Sequence, residues 1–306
     1  MLQDPRTLIQ EQPMTPFQVR IVLYCILIAA LDGFDVLVMA YTAPAIAQAW
    51  QLDNALLGVL FSAGLLGMGV GALFVAPLGD RIGRRPTVLL CLALMSGAML
   101  LSALCRTPYE LIAMRVATGI GIGAILANIN IVVTEYSNKR RRSLSNALIS
   151  LGYPAGATLG GLISVYLIDA FGWRAPFLFG CLVGLLFVPL LLKDFPESID
   201  FLIARRPKKA LERINRALVK LGQPPLQALP ERVQGERQNK MNITALWHPD
   251  CRRAFISACA LYACIMMSVY FLLSWTPKIL IDMGLSLNGG ISASMLLNLG
   301  LSLIHI

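Results

Sequence analysis

The chain has 306 residues, of which 57% are hydrophobic and only 14% charged, with a mean hydropathy of +0.68. Soluble domains carry roughly 25% charged residues, so this composition excludes an ordinary soluble enzyme or binding domain and points to a protein that crosses a bilayer several times. The formal net charge of +9 would suit a nucleic-acid partner, but its distribution along the chain follows membrane topology instead.

Residues 1–20 are polar, lack a basic start and precede an apolar run too long for a signal peptide, so they are expected to be a cytoplasmic tail. Runs long enough to cross a bilayer core, about 20 residues each, then recur. They cover 21–46, 55–78, 86–104, 109–133, 144–168, 174–192, 254–276 and 287–304. Lipid offers no partner to a free backbone amide, so each run must be helical and the fold class is all-α integral membrane. The expected layout is a six-helix bundle over 21–193, a cytoplasmic central loop over 194–253 and two further helices over 254–300.

The first span holds two acids, in the stretch Asp32-Gly-Phe-Asp35. Asp32 lies twelve residues beyond Arg20, about 18 Å along a helix and near the middle of an apolar core about 30 Å thick. Asp35 is about 60° further round, which puts both acids on one face with Ile28 and Met39. Ionised carboxylates are costly at that depth and two of them repel, which favours a proton on at least one. The alternative is that both simply cap polar contacts with neighbouring helices.

Later spans add small residues at four-residue intervals: Ala63, Gly67 and Gly71 in the second, Gly119, Gly123 and Ala127 in the fourth, Gly152, Gly156 and Gly160 in the fifth. Each set lines one face and lets helices approach closely. Pro154 predicts a bend in the fifth span. Arg115, always charged, lies about 8 Å in from the outer end of the fourth span. It has three options: to pair with Asp35, to offer a bidentate site to a carboxylate, or to snorkel outward. Asn130 lies within about 60° of the Arg115 face, whereas Asn128 points elsewhere.

Lys and Arg alternate between the loops. Loop 46–55 has none, 79–86 has Arg81, Arg84 and Arg85, the next has Arg106, and 134–143 has Lys139, Arg140, Arg141 and Arg142. The following loop has only Arg174, segment 193–253 has thirteen basic residues, and the last loop has Lys278. With the two arginines of the tail, 22 basic residues lie on one side, 3 on the other, and Arg115 within a span. The positive-inside rule places the N-terminus and the basic loops in the cytoplasm, and no nucleic-acid partner is expected.

Within the central loop, Pro207 to Leu221 reads as an amphipathic helix lying along the bundle or the inner membrane surface, followed by a linker over 223–242. In the seventh span Tyr262, Tyr270, Phe271 and Trp275 are candidates to stack on an aromatic ring, with Trp275 better placed as an interface anchor. The seven cysteines show no Cys-x-x-Cys spacing and read as small apolar side chains, so no metal, disulfide or cofactor is expected. Residues 301–306, Leu-Ser-Leu-Ile-His-Ile, match a translation of a transposon end used in sequencing-library adapters. They are expected to be a non-native tail, with the native sequence ending near Gly300 and His305 carrying no role.

The loop Ala76-Pro-Leu-Gly-Asp80-Arg81-Ile-Gly83-Arg84-Arg85 resembles the one between helices two and three of the major facilitator superfamily, with Ala76 where a glycine is usual. Arg115-x-x-x-Gly119-x-Gly121-x-Gly123 resembles the second motif of that superfamily, and Pro196-Glu-Ser198 stands where many members carry the same triplet. Within it, Asp32-Gly-Phe-Asp35 and Ser274-Trp-Thr-Pro277 resemble the aromatic acid:proton symporter family. The resemblance covers about residues 17 to 300. It implies a helical bundle with six N-terminal transmembrane helices and the first two of a C-terminal half, in a bacterial inner membrane.

It also implies a function: no enzyme, but proton-coupled import of a benzoate-like or hydroxybenzoate-like anion by alternating access. Asp32 and Asp35 would handle protons, Arg115 would face the anion, and Asn130 and Tyr270 would line the pocket. Asp80, Arg81, Gly83, Arg84 and Arg85 would form a cytoplasmic gating motif, with Arg84 meeting Glu135 and Asp80 meeting a helix of the C-terminal half. The expected partners are protons, a small organic anion and the lipid bilayer, and the complete protein is expected to be monomeric. A proton-linked exporter and a non-transporting membrane sensor are the alternatives.

Overall fold

The computed structural model describes residues 5–230 and 249–303. In chain order they form α1 (Pro5–Glu11), α2 (Pro16–Trp50) and α3 (Asn54–Val70), which passes through a π-helical turn at Gly71–Val75 into α4 (Leu78–Ile82). Next come α5 (Arg84–Leu104), α6 (Pro108–Tyr136), α7 (Arg142–Phe171), α8 (Ala175–Asp194), α9 (Ile199–Arg205), α10 (Ala210–Lys220), α11 (Pro249–Asp282) and α12 (Leu287–Leu303). Among the described residues, seven helical stretches are long and apolar enough to cross a membrane, and the eighth expected span forms the shorter α12, of 17 residues.

Caps rather than hydropathy end the helices. The Thr15 hydroxyl accepts from the Gln18 amide at 3.4 Å while the Thr15 amide donates to Gln18 Oε1 at 2.8 Å, and Pro16 takes the first helical position. This capping box starts α2 five residues before its apolar run. Asp53 and Thr107 cap α3 and α6 more simply, their side chains accepting from the Leu56 and Glu110 amides.

Two glycine-lined seams hold the bundle together. Along α2 and α7, Gly156 and Gly160 lie so close to Ala30 and Phe34 that a Cβ on either would collide, and Gly33 meets the Tyr153 backbone equally closely. Along α3 and α6, Gly67 and Gly71 lie against Val116 and Ile120, while Gly119 and Gly123 lie against Gly64 and Met68. Ala127 departs from its set, being exposed. With no hydrophobic drive between helices in lipid, such close backbone approach is what supplies the packing energy. α5 packs between α6 and α8, and α11 and α12 pack on each other and against α2 and α7. α7 continues unbroken through Pro154, whose carbonyl accepts from Thr158 Oγ1 at 2.8 Å and from Asn298 Nδ2 at 3.2 Å.

The face that carries the basic loops holds elements the hydropathy pattern did not announce. The N-terminal tail forms α1, tied down by an ion pair from Arg6 Nε to Asp200 at 2.9 Å and by the Lys139 amide donating to the Gln10 carbonyl at 3.0 Å. The amphipathic stretch begins at Ala210 rather than Pro207, because Lys209 takes a left-handed conformation with φ 65°. Ala210, Ile214, Ala217 and Leu218 are buried, and Lys220 lies 3.3 Å from Asp194 with its ammonium 5.1 Å from the centre of the Phe17 ring. The helix therefore covers the end of the bundle. Cys25, Cys91, Cys105 and Cys181 are buried and unbridged, and Cys259 and Cys264 are exposed. Residues 231–248 of the central segment and 304–306 of the tail, His305 included, lie outside the described residues.

A side chain in the α2–α7 seam has nowhere to go. Gly156→Val is expected to lower the stability of the detergent-purified protein by about 1–3 kcal/mol, seen as a lower thermal melting point. Gly97→Ala, where an added Cβ meets nothing within 4 Å, should leave it unchanged.

Candidate functional site

Asp32 and Asp35 sit near the middle of the 35-residue α2 and are buried, at 0% and 3% exposure. The close approach at Gly33 brings α7 over this part of α2. Asp32 is consequently within electrostatic reach of Tyr153 of α7 and Tyr270 of α11. Both carboxyl oxygens of Asp32 and Oδ1 of Asp35 are sealed from solvent with no hydrogen-bond partner. These three oxygens therefore cap no polar group of a neighbouring helix in this structure. Gly180 of α8 leaves space beside Asp35, where a Cβ would stand 3.2 Å from Oδ1.

Arg115 is also buried, at 3% exposure. Its Nη2 donates to Ser102 Oγ at 2.9 Å and to Thr118 Oγ1 at 3.2 Å and lies 3.2 Å from Met99 Sδ. The guanidinium stands 5.0 Å from the centre of the Phe177 ring, and Nε is sealed without a partner. The side chain thus turns inward, held by α5 and α8, and does not snorkel. Among the described residues it makes no direct ion pair with Asp35, and its Nη2 is taken up by neutral hydroxyls. Instead the two share a cavity of about 40 Å³, lined also by Tyr270 and Ser274. That is space for water but not for an aromatic ring.

Tyr270 and Ser274 also line a larger cavity, of about 630 Å³, between α3, α6 and α11. Its walls include Phe61, Met68, Tyr262, Met266, Phe271 and Trp275. Trp275 packs edge-on against Phe61 at 5.3 Å and stacks near Phe271 at 6.2 Å. Trp275 is half-buried, and α11 continues seven residues beyond it to Asp282. Asn130 lines neither cavity and is exposed. It shares a helical face with Arg115, but fifteen residues along a helix separate them by about 22 Å. The buried asparagine is Asn128, whose Nδ2 donates to the Ala124 carbonyl at 2.8 Å and to the Ala76 carbonyl at 3.4 Å.

A second cluster forms at the basic face around Gly83, whose φ of 111° suits only glycine. Arg84 Nη2 pairs with Asp80 Oδ1 at 2.5 Å, one turn away, and its guanidinium faces the Phe201 ring at 5.9 Å. Arg85 Nη2 donates to the Leu192 carbonyl at 2.5 Å, and Arg205 Nε donates to the Asp80 carbonyl at 3.1 Å. Arg81 is exposed. Glu197 Oε1 accepts from the backbone amides of Arg84, Arg85 and Ser198 at 2.8, 3.1 and 3.0 Å. It caps the start of α5, where unpaired amides and the helix dipole favour an anion.

This corrects one expectation. Arg84 meets Asp80 rather than Glu135, because Glu197 draws the Ser198 hydroxyl onto Glu135 Oε1 at 2.7 Å. Glu135 Oε2 stays buried without a partner. Asp80 forms no hydrogen bond or ion pair with α11 or α12 among the described residues. The sequence shows the triplet Pro196-Glu197-Ser198, but nothing local in it tells which helix end the acid will cap.

The family model described as Major Facilitator Superfamily matches residues 24–304. A gallate transporter from Pseudomonas putida is 34% identical over 97% of this chain and 66% of its own length. The 4-hydroxybenzoate transporter PcaK from Pseudomonas aeruginosa is 34% identical over 93% of this chain and 64% of its own. A benzoate transport protein from Acinetobacter baylyi is 27% identical over 96% and 64%. The chain thus spans just under two thirds of the length of these curated relatives. Among solved structures, the partially occluded inward-open xylose transporter XylE from E. coli superposes with a TM-score of 0.67 at 18% identity, over 92% of this chain and 70% of that one. A bacterial homologue of the human lysosomal transporter Spinster gives 0.71 at 18% identity, over 94% and 60%. Both likenesses concern the fold alone.

Loss of the Glu197 carboxylate should free three backbone amides. In Glu197→Ala, hydrogen exchange at Arg84, Arg85 and Ser198 is expected to speed up by roughly tenfold or more, at the 1–3 kcal/mol scale of buried groups left unsatisfied. Unchanged exchange at all three would contradict the capping role.

Proposed function

The chain belongs to the Major Facilitator Superfamily, a family of multi-pass membrane transporters rather than enzymes, and on that premise we propose that it serves as a proton-coupled importer of a small aromatic carboxylate. The observation that carries this reading is the shared cavity. Asp35 and Arg115 line it together without pairing, and Tyr270 is a wall common to it and to the larger aromatic-walled cavity. An anion entering from the larger cavity would meet a guanidinium whose Nε has no other partner. Asp35 would gain or lose a proton beside it, and Asp32, sealed behind, would hold the second carboxyl of the relay. The relatives' transport of gallate, 4-hydroxybenzoate and benzoate supports an aromatic acid as the substrate class.

The same reading orders the rest of the chain. Residues 21–193 would be one rocking bundle, 194–253 a cytoplasmic connection, and 254–300 the start of the second bundle. The excess of basic residues on the face of α1, α9 and α10 supports a cytoplasmic N-terminus in an inner membrane. The pairs around Glu197, Arg84, Asp80 and Glu135 would close that face and part when it opens.

Uptake of labelled 4-hydroxybenzoate by cells carrying the full gene tests the assignment. A protonophore should abolish uptake, and Asp32→Asn and Asp35→Asn should each lower it at least tenfold. Full uptake by the double variant would remove the acids from the mechanism. Arg115→Gln should raise KM for the anion by roughly tenfold to a hundredfold, the scale of a lost charge-assisted hydrogen bond. An unchanged KM would place the carboxylate elsewhere.

A further inference from the structure

The basic end of the bundle holds a cavity of about 600 Å³ to which the transport reading assigns no ligand. α10 covers it, the ends of α5 and α8 form its base, and Phe17 of α2 closes one side. Arg85, Lys193, Arg213, Arg216 and Lys220 line it against only two acids, Asp194 and Glu197. Both acids are already engaged. Asp194 meets Lys220 at 3.3 Å and Arg20 at 3.7 Å, and Glu197 is taken up by the backbone amides of α5.

The cations are not all matched. Arg216 pairs with Glu212 at 3.1 Å outside the cavity. The side chains of Lys193 and Arg213 make no hydrogen bond or ion pair among the described residues. Arg85 reaches only the Leu192 carbonyl, and its Nε is sealed with no partner. Three positive charges without counter-charges thus converge on one concave space, which makes it an anion site.

The apolar part of the wall selects among anions. Ile82, Pro86, Leu89 and Leu192 form that side, and Ile82 and Leu192 continue onto the outer surface of the spans at 49% and 54% exposure. A soluble phosphate has no use for this wall, whereas a phospholipid would set its phosphodiester on the cations and lay its chains along it. We propose that this cavity binds the headgroup of an anionic phospholipid, with Arg85, Lys193 and Arg213 holding the phosphodiester. Because Arg85 belongs to the loop around Gly83 and Arg213 to α10, the bound lipid ties the central segment to that loop.

Native mass spectrometry of the purified 306-residue chain tests this, with phosphatidylglycerol and phosphatidylcholine of matched chains supplied in equal amounts. Wild-type protein should retain phosphatidylglycerol in preference. Lys193→Gln with Arg213→Gln should lower that retention about tenfold, as loss of two interfacial cations implies, and Arg213→Lys should keep it. Lys208→Gln with Lys209→Gln, just before the same helix but outside the cavity, should change nothing. Millimolar inorganic phosphate should not displace the lipid. Equal loss in the control pair would assign the effect to diffuse charge, and displacement by phosphate would assign the site to a soluble anion; either overturns the proposal, as does undiminished retention. Matching size-exclusion profiles establish that the variants are folded, and Lys193→Gln alone provides the readout if the double variant does not fold.

Discussion

Three ionisable side chains buried in one membrane-spanning bundle, with no direct ion pair among them, set the terms for the surrounding structure. A charge in a low-dielectric interior needs a partner or a price in stability, and here neither acid finds one in the protein. Arg115 is held by hydroxyls, a thioether and an aromatic face, all of them neutral. That arrangement leaves room for a mobile charge, a proton or an anion, to complete it. The glycines of the α2–α7 seam matter for the same reason, since the close approach at Gly33 brings α7 over the acids.

The basic face solves a different problem with similar economy. The first amides of α5 need an acceptor, and Glu197, brought round from the end of α8, provides it. Its position pulls Ser198 onto Glu135 and leaves Arg84 to Asp80, so one carboxylate bears on the pairing of four other side chains. Tyr136 adds to this through its hydroxyl, which donates to the Glu197 carbonyl at 2.8 Å, and Gln18 Nε2 in turn donates to the Tyr136 carbonyl at 2.9 Å. The ends of α2, α5 and α6 and the start of α9 are thereby linked through hydrogen bonds that a rigid-body motion of the bundle would have to keep or break as a set.

Much of this was legible in the sequence where the signal is local. Apolar runs and alternating basic loops mark the spans, four-residue glycine spacing marks the seams, and the acid pair in an apolar run marks the carboxyls that the structure buries in α2. What escaped depends on distance through space. The seven-residue α1 is too short to show periodicity, and its order comes from Asp200 and the α6–α7 loop. Asn130 was chosen by its angle around a helix, which ignores the axial distance from Arg115. The apolar run ends at residue 276, whereas α11 continues to Asp282, because a helix end need not follow the fall in hydropathy. The partner of Arg84 was decided by competition from Glu197, which no spacing within one segment can reveal.

The central claim is that the buried acids couple proton movement to the movement of an organic anion. It is tested most directly in proteoliposomes containing the full-length protein and a pH indicator, with no imposed gradient other than that of the anion. The account predicts that adding 4-hydroxybenzoate outside makes the external medium more alkaline at the rate of substrate entry, and that Asp32→Asn with Asp35→Asn removes the signal. Substrate entry at the wild-type rate without any proton movement would contradict it.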